Sequence, residues 1–225
     1  MSPATNSVDS SLESPIQKST PSVVAAAAMV EPASVRQSFA YRNRMWLTGV
    51  SLVAGLVATW FLQTGKGLSL PVQMGLSMTG WGCLAAGAAI RIWASTYICA
   101  RKSVAVVRSG PYSLCRNPLY WGTFLMIAAF PLILASPSLA VAMLPPIALY
   151  LFAVVPVEEA VMRSRHPQEY GDYCQSVARW FPNFSRYDRG VALDGASIGF
   201  RRECGRMIWW VAFAGIAQWV AQTVR

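Results

Sequence analysis

Two segments of the sequence combine polar, aromatic and turn-forming residues in patterns that could bind a ligand, and the first covers residues 108–120. A Gly-Pro turn signal precedes Tyr112 there, and Pro118 suits the first position of a helix with Asn117 as its N-cap. The free N–H groups of that helix start, together with Tyr112 and Tyr120, can line a ligand pocket. A capped membrane helix with aromatic anchors has the same pattern, so the spacing leaves both interpretations open.

The second segment begins with Glu158 and Glu159, which directly follow a long apolar run. Two carboxylates at the edge of an apolar region are costly without partners. One interpretation is a salt bridge from Glu159 to Arg163, one helical turn away, with Glu158 in solvent. The other is that a carboxylate binds the hydroxyls or the amine of a ligand. His166, the single histidine of the sequence, precedes Pro167, which is predicted to interrupt the helix. We interpret this histidine as a capping or packing residue rather than a base.

The composition places these segments in a membrane protein. Hydrophobic residues make up 54% of the chain and charged residues 13%, well below the roughly one quarter usual in soluble domains, so much of the surface must face lipid. The net charge of +9 does not indicate nucleic-acid binding, because Lys and Arg cluster beside apolar runs. The five cysteines have no CxxC or Cys/His ligand spacing, so we predict no disulfide framework and no metal site.

Uncharged runs mark the elements that must position the two segments. The first predicted helix covers residues 45–62, about the twenty residues needed to cross a bilayer. The second covers residues 71–90 and contains a Gly- and Ala-rich stretch, residues 80–87, that suits close packing against a neighbour. The uncharged residues 117–157 predict a hairpin of a third and a fourth helix, joined at residues 135–138.

Two further features complete this layout. Pro145 and Pro146 fall inside the fourth helix and predict a kink. Residues 207–224 carry no charge and have tryptophans near their ends, which fits either a fifth span or an interfacial helix, and we predict a span. The predicted fold class is therefore all-α, a polytopic membrane helical bundle of four to five transmembrane helices.

Positive charges set the predicted orientation. One basic segment precedes the first helix, a second lies between the second and third helices, and a third follows the fourth. The opposite loops carry Lys66 alone. The positive-inside rule places the basic segments, and with them any cofactor-binding face, in the cytoplasm. Residues 1–40, rich in Ser, Pro, Thr and Ala, are predicted to be a disordered tail rather than a cleaved signal. Residues 41–225 are predicted to form the membrane domain, with its core motifs in residues 80–184.

The two segments together resemble the isoprenylcysteine carboxyl methyltransferase family and its phospholipid-methyltransferase relatives. The resemblance runs from about Gly80 through Pro182 and depends on the order and spacing of several short motifs. These are Arg91-Ile92-Trp93-Ala94, Ser109-Gly110-Pro111-Tyr112, Arg116-Asn117-Pro118-Leu119-Tyr120, Glu158-Glu159 with Tyr170 and Tyr173, and Arg179-Trp180-Phe181-Pro182.

This resemblance implies S-adenosyl-L-methionine as the methyl donor, bound on the cytoplasmic side. The positions that it implies for donor binding are Val104, Val107, Tyr112, Asn117, Pro118, Leu119, Tyr120 and Glu158. As catalytic residues we predict Arg116, Glu159 and Arg163, with an arginine orienting an anionic acceptor.

Three positions depart from the family pattern. Asn117 stands where many members have His, and His166-Pro167 replaces a Phe-Gly pair. Val154 stands where the carboxyl methyltransferases place an arginine that can hold the substrate carboxylate. The last departure leaves the identity of the methyl acceptor open, whereas it bears less on methyl transfer itself.

The predicted function is methyl transfer to a lipophilic acceptor embedded in a bacterial cell membrane or an endomembrane. The resemblance is strongest to protein C-terminal S-isoprenylcysteine carboxyl O-methyltransferases, so the predicted partners are the bilayer and a lipophilic or prenylated substrate. Two alternatives stay open. One is an NADPH-dependent membrane reductase of the steroid 5α-reductase-like type, whose C-terminal part the scaffold also resembles. The other is a non-enzymatic membrane protein in which the motifs cap helices.

Overall fold

The structure, a computed structural model, describes residues 39–62, 67–98, 105–190 and 198–224, and within these ranges the chain is helical with no strand. The helices are α1 (Phe39–Leu62), α2 (Leu70–Ile98), α3 (Pro111–Leu114), α4 (Pro118–Ile133), α5 (Pro137–Ala142), α6 (Leu144–Leu149), α7 (Val155–Arg165), α8 (Pro167–Ser176) and α9 (Ile198–Val224). A π-helical turn, Tyr150–Val154, joins α6 to α7, and a 3₁₀ turn covers Phe184–Arg186. The predicted tail lies outside the described residues except for positions 39 and 40, which are helical.

Helices α1 and α2 are longer than predicted, because each continues past charged residues. Helix α1 begins at Phe39 rather than Met45, and α2 continues through Arg91 to Ile98. The predicted start of α1 and the predicted end of α2 were placed next to Arg44 and Arg91, because a charge limits a membrane crossing. A charge does not limit a helix, since the backbone hydrogen bonds continue unchanged past it. The first two predicted helices are confirmed, but their predicted ranges are too short.

Helices α2 and α4 form the centre of the fold and run antiparallel. A Cβ atom on Gly87 would lie 2.7 Å from the Gly122 carbonyl oxygen, and a Cβ on Gly80 would lie 2.6 Å from the Ile133 nitrogen. These glycines let the two backbones touch, as predicted for the small residues of α2. Leu84, between these glycines in α2, is 1% exposed and belongs to one buried cluster with Met126 and Ala129 of α4.

Helix α1 packs against α5 through small and hydroxyl-bearing residues. A Cβ on Gly55 would overlap the side chains of Leu139 and Ala142, so α1 approaches α5 closely there. The Thr59 hydroxyl lies 2.7 Å from the Ser136 hydroxyl at the turn between α4 and α5. Helix α4 ends at Ile133 and α5 begins at Pro137, which confirms the predicted turn, and the contact places the end of α1 beside it.

The predicted kink of the fourth helix is confirmed, and its position follows from proline chemistry. The helix breaks at Met143, between α5 and α6, just before Pro145 and Pro146. A proline ring clashes with the carbonyl about one turn before it and donates no hydrogen bond, so the turn that precedes the pair cannot remain regular. The following π turn, Tyr150–Val154, was not predicted, and α7 begins directly after it at Val155.

Helix α9 lies along α2 and is fastened to it at both ends. Near one end, Arg91 Nε donates to Glu203 Oε1 at 2.8 Å. Near the other, Trp81 Nε1 donates to Gln218 Oε1, and Gln218 Nε2 donates to the Ser77 hydroxyl, both at 2.8 Å. Glu203 is 6% exposed, so its charge depends on the Arg91 partner and on Arg206, 2.6 Å away.

Two stretches of the described chain are long and apolar enough to cross a membrane, Asn43–Leu62 and Pro137–Arg165. These correspond to the first and fourth predicted spans. Pro118–Ile133 is also apolar but shorter. Within the described residues, two helices therefore pass this test of length and composition, fewer than the four to five predicted spans. Large apolar side chains are nevertheless exposed on α1 and α9, including Trp46 and Trp209, each 77% exposed.

Candidate functional site

The loop that leads into α4 is held in one shape by its own backbone. Gly110 has a φ of 62°, and a Cβ there would overlap the ring of Tyr97, so glycine is required on both grounds. The Ser113 hydroxyl donates to the Gly110 carbonyl at 2.7 Å. Pro118 opens α4 and Asn117 stands at its N-cap position, both as predicted, but the Asn117 side chain makes no capping hydrogen bond. The side-chain amide of Asn117 donates to Glu159 instead.

A buried carboxylate, Glu159, accepts the Asn117 amide. The side chain of Glu159 is 5% exposed, and its Oε1 accepts from Asn117 Nδ2 at 3.0 Å. Its Oε2 accepts from Arg179 at 3.0 Å from Nε and 2.6 Å from Nη2, and Arg116 Nε lies 3.5 Å from Oε1. These hydrogen bonds raise the pKa of the Arg179 guanidinium. The carboxylate is thus surrounded by groups of the protein itself.

The salt bridge predicted from Glu159 to Arg163 is wrong. Arg163 is exposed, and its Nη2 lies 3.9 Å from the Cys174 sulfur on α8. The i, i+4 spacing is correct, but Arg179 and Arg116 approach Glu159 from the buried side and satisfy it there. Of the three predicted catalytic residues, the structure therefore brings Arg116 and Glu159 together and leaves Arg163 apart. Their catalytic roles stay predictions.

The neighbouring carboxylate, Glu158, has different partners and is not simply in solvent. The Tyr120 hydroxyl donates to Glu158 Oε2 at 2.7 Å, and Arg44 Nη1 on α1 donates to Oε1 at 3.3 Å. The Glu158 side chain is 35% exposed and that of Arg44 is 27% exposed. Tyr120 also packs its ring against Tyr150, with centroids 5.7 Å apart. A fixed carboxylate with accessible surface is suited to an ammonium or hydroxyl group of a ligand.

An apolar cluster lies beside the start of α4 and includes three of the residues predicted to bind the donor. Val107 and Tyr112 are buried with Tyr97, and Leu119 packs against them. Pro118 is buried at the same helix start. The predicted donor-binding residue Val104 lies outside the described residues. The other predicted donor-binding positions all lie at or beside this helix start, and their role stays a prediction.

Two tyrosines of α8 support the loop from behind. The Tyr173 hydroxyl donates to the Tyr112 carbonyl at 2.7 Å, and the Tyr170 and Tyr173 rings are 5.8 Å apart. Burial raises the pKa of both phenols, so both keep their protons at physiological pH. The predicted break before α8 is confirmed: His166 ends α7 in a non-helical conformation, and its Nδ1 lies 3.8 Å from Glu169.

A strap formed by residues 177–190 is hydrogen-bonded to the loop and to the first turn of α4. The backbone N–H of Arg116 donates to the Ala178 carbonyl at 2.9 Å, and that of Asn183 donates to the Leu114 carbonyl at 3.0 Å. Trp121 Nε1 donates to the Trp180 carbonyl at 2.6 Å. The sequence motif at Arg179 pointed to this segment, but it did not identify Arg179 as the partner of Glu159. Arg44 was likewise interpreted only as a topology signal.

These features define the class of the protein: an all-helical chain with helices apolar enough for a membrane and a polar site at the start of α4. The chain belongs to the phospholipid methyltransferase family, whose model matches residues 71–169. The matched segment contains α4, both carboxylates of the site and all of α2 except Leu70.

Two relatives are similar over most of their length. The cobalt-zinc-cadmium resistance protein CzcN of Cupriavidus metallidurans is 30% identical over 149 residues, which cover 66% of this chain and 67% of that protein. The nickel-cobalt-cadmium resistance protein NccN of Alcaligenes xylosoxydans xylosoxydans is 30% identical over 177 residues, which cover 77% of this chain and 81% of that protein. No solved structure matches the chain. Within the described residues, no group of three or more His, Cys, Asp or Glu could hold a metal ion.

Proposed function

We propose that this chain is an S-adenosylmethionine-dependent methyltransferase that acts on a lipophilic acceptor in the membrane. Membership of the family supports methyl transfer. The observation that carries the donor assignment is the pairing of Tyr120 with Glu158, in which a hydroxyl at 2.7 Å fixes a carboxylate that is one third exposed. The exposed part of that carboxylate can bind the ammonium group of the donor.

The residues around the start of α4 fit the rest of the donor. The apolar cluster of Val107, Tyr112 and Leu119 offers surface for the adenosine part beside the polar Glu158. S-adenosylmethionine, when bound, supplies a methyl group on a positively charged sulfur. The protein's part is to hold the donor and the acceptor in line, since orientation can account for most of the acceleration in such a transfer.

The two arginines predicted to orient the acceptor differ in how far they are committed to other contacts. Arg116 lies against the buried Glu159, so we propose that it holds the loop in place. Arg163 is exposed at the end of α7, and we propose that it orients an anionic acceptor. An acceptor already ionised as a carboxylate or thiolate would need little proton transfer, which agrees with a site that has no histidine beside Glu158.

We further propose a multi-pass arrangement of four to five spans with the site facing the cytoplasm. The contacts support it, because the start of α1 meets α7 through Arg44 and Glu158, whereas the end of α1 meets the turn between α4 and α5. Antiparallel contacts of α2 with α4 and with α9 give the same alternation. The basic segments then share one end, which the positive-inside rule places in the cytoplasm.

The acceptor that we propose first is a prenylated cysteine carboxylate, with a membrane phospholipid as the other lipophilic class. Both relatives are named for resistance to metals, so we also propose that methylation of a membrane component by this chain contributes to tolerance of cobalt, nickel, zinc or cadmium. A strain that carries Glu158→Gln as its sole copy should then grow less well on cadmium than one that carries Glu169→Gln, whose carboxylate is half exposed on α8.

The direct test of the proposed function is calorimetric titration of the purified chain with S-adenosylmethionine and with NADPH. We expect binding of S-adenosylmethionine alone, a loss of at least about tenfold in affinity in Glu158→Gln, and little change in Glu169→Gln. Membranes incubated with methyl-labelled donor should then show whether the label enters lipid, small molecule or protein. Binding of NADPH without S-adenosylmethionine would refute the proposal in favour of a reductase.

A further inference from the structure

The ion pair between Arg44 and Glu158 joins the first helix to the site from outside the segment that the family model matches. Arg44 lies on α1, whereas the match covers residues 71–169. Leu52, Gly55 and Thr59 follow Arg44 at steps that keep one face of a helix, and all three meet the bundle. Arg44 is therefore the end of the inward face of α1, and its position beside Glu158 follows from how the whole helix packs.

We propose that Arg44 and Glu158 together bind an α-amino acid group, with Glu158 taking the ammonium and Arg44 taking the carboxylate. The inference rests on the proposed function, because S-adenosylmethionine carries such a group. In the free protein the two side chains neutralise each other across 3.3 Å. A ligand with both charges on one carbon can replace each partner with an equivalent one, so neither charge is left unpaired.

The contacts around the pair allow this exchange. Glu158 Oε2 accepts from the Tyr120 hydroxyl, and Oε1 faces Arg44, so the exchange at Oε1 leaves the Tyr120 bond intact. The 3.3 Å bond from Arg44 to Glu158 is longer, and therefore weaker, than the bonds of 3.0 and 2.6 Å from Arg179 to Glu159. The partial exposure of both side chains gives a ligand access. The arginine stem is long enough for its guanidinium to turn without movement of α1.

The pair also predicts which ligands are rejected. A ligand that keeps the ammonium but lacks the carboxylate would compete with Arg44 for Glu158 and offer the Arg44 guanidinium no contact in exchange. A ligand that lacks both groups would leave the ion pair in place and gain nothing from it. The pair should therefore discriminate S-adenosylmethionine from its decarboxylated form, and Arg44 should be the residue on which that discrimination depends.

The test is equilibrium binding to the full-length protein, with S-adenosylmethionine and decarboxylated S-adenosylmethionine as probes. We expect wild type to prefer the first by about tenfold or more, since a charge-assisted pair at a partly exposed site has about that effect. Arg44→Gln should reduce the ratio to near one, and Arg44→Lys should keep part of it. Arg206→Gln is the matched control, because it removes an arginine that pairs with Glu203 instead.

Each outcome separates the two proposals. Binding of S-adenosylmethionine to wild type with an unchanged preference in Arg44→Gln overturns the role of Arg44 and leaves the proposed function standing. Absence of binding of both probes to wild type overturns both. The wild-type preference depends on no substitution, so a wild-type ratio near one overturns this inference even if Arg44→Gln does not fold.

Discussion

Substitution of Glu159 by glutamine should destabilise the protein, because it leaves two arginines around a neutral amide. Unit charges about 3 Å apart attract by about 5 kcal/mol at an effective dielectric constant of about 20. Arg179 is 41% exposed and can turn to water, whereas Arg116 is 12% exposed and cannot easily do so. Breaking a buried pair costs about 3 to 5 kcal/mol, and the exposure of Arg179 favours the lower value. For a chain of this size, about 3 kcal/mol lowers Tm by about 6 to 12 °C.

The assay is thermal unfolding followed by tryptophan fluorescence in detergent. Glu169→Gln is the control, because its half-exposed carboxylate lies 3.8 Å from His166 and should contribute less than about 0.5 kcal/mol. The double variant Glu159→Gln/Arg179→Gln should recover part of the loss, since one unpaired guanidinium is then removed. A variant Glu159→Gln that melts with the control and yet loses methyl transfer would refute this reasoning and return Glu159 to a catalytic role.

Three further perturbations test the fold around the site. Gly87→Leu should cost about 3 kcal/mol in thermal unfolding, since its side chain meets the backbone oxygen of Gly122, 2.7 Å from the Cβ position. Tyr173→Phe should cost about 1 kcal/mol at pH 8, because the hydrogen bond to Tyr112 is lost. Burial raises the pKa of the Tyr173 phenol, so that stability is present below pH about 10 and is lost as pH rises further, and the gap between variant and wild type should narrow there. Glu203→Gln leaves two arginines without their anion and should speed hydrogen exchange along α9.

Each of these predictions has a result that would contradict it. A Gly87→Leu protein with wild-type Tm would mean that α2 and α4 separate without cost. A stability gap for Tyr173→Phe that stays constant up to pH 11 would mean that the phenol proton does not contribute. Unchanged exchange in α9 after Glu203→Gln would show that the Gln218 contacts hold that helix without the ion pairs.

The elements of the fold could be predicted from the sequence because each has a local cause. Pro118 opens α4, residues 135–138 form the turn, and the proline pair breaks the helix before it. The small residues of α2 were correctly predicted to meet a neighbouring backbone. The π turn was not predicted, because no residue type is required for it.

The partners of the two carboxylates could not be predicted, because they come from distant parts of the chain. Helical spacing predicted Arg163 as the partner of Glu159. The actual partner, Arg179, follows two helix ends, at His166 and after α8, so local spacing could not identify it. Arg44 reaches Glu158 from a helix more than a hundred positions away. Arginines near helix ends also fit the positive-inside rule, so their positions in the sequence did not indicate that they pair with carboxylates.

The adjacent carboxylates Glu158 and Glu159 are the point at which three separate parts of the chain are joined. Their cations, Arg44 and Arg179, both lie outside residues 71–169. A fragment trimmed to that match would keep the carboxylates and lose both of these arginines. The loss of Arg179 would cost more, because it pairs with the buried carboxylate of Glu159. The stretch that the family shares is therefore shorter than the smallest piece of this chain expected to fold by itself.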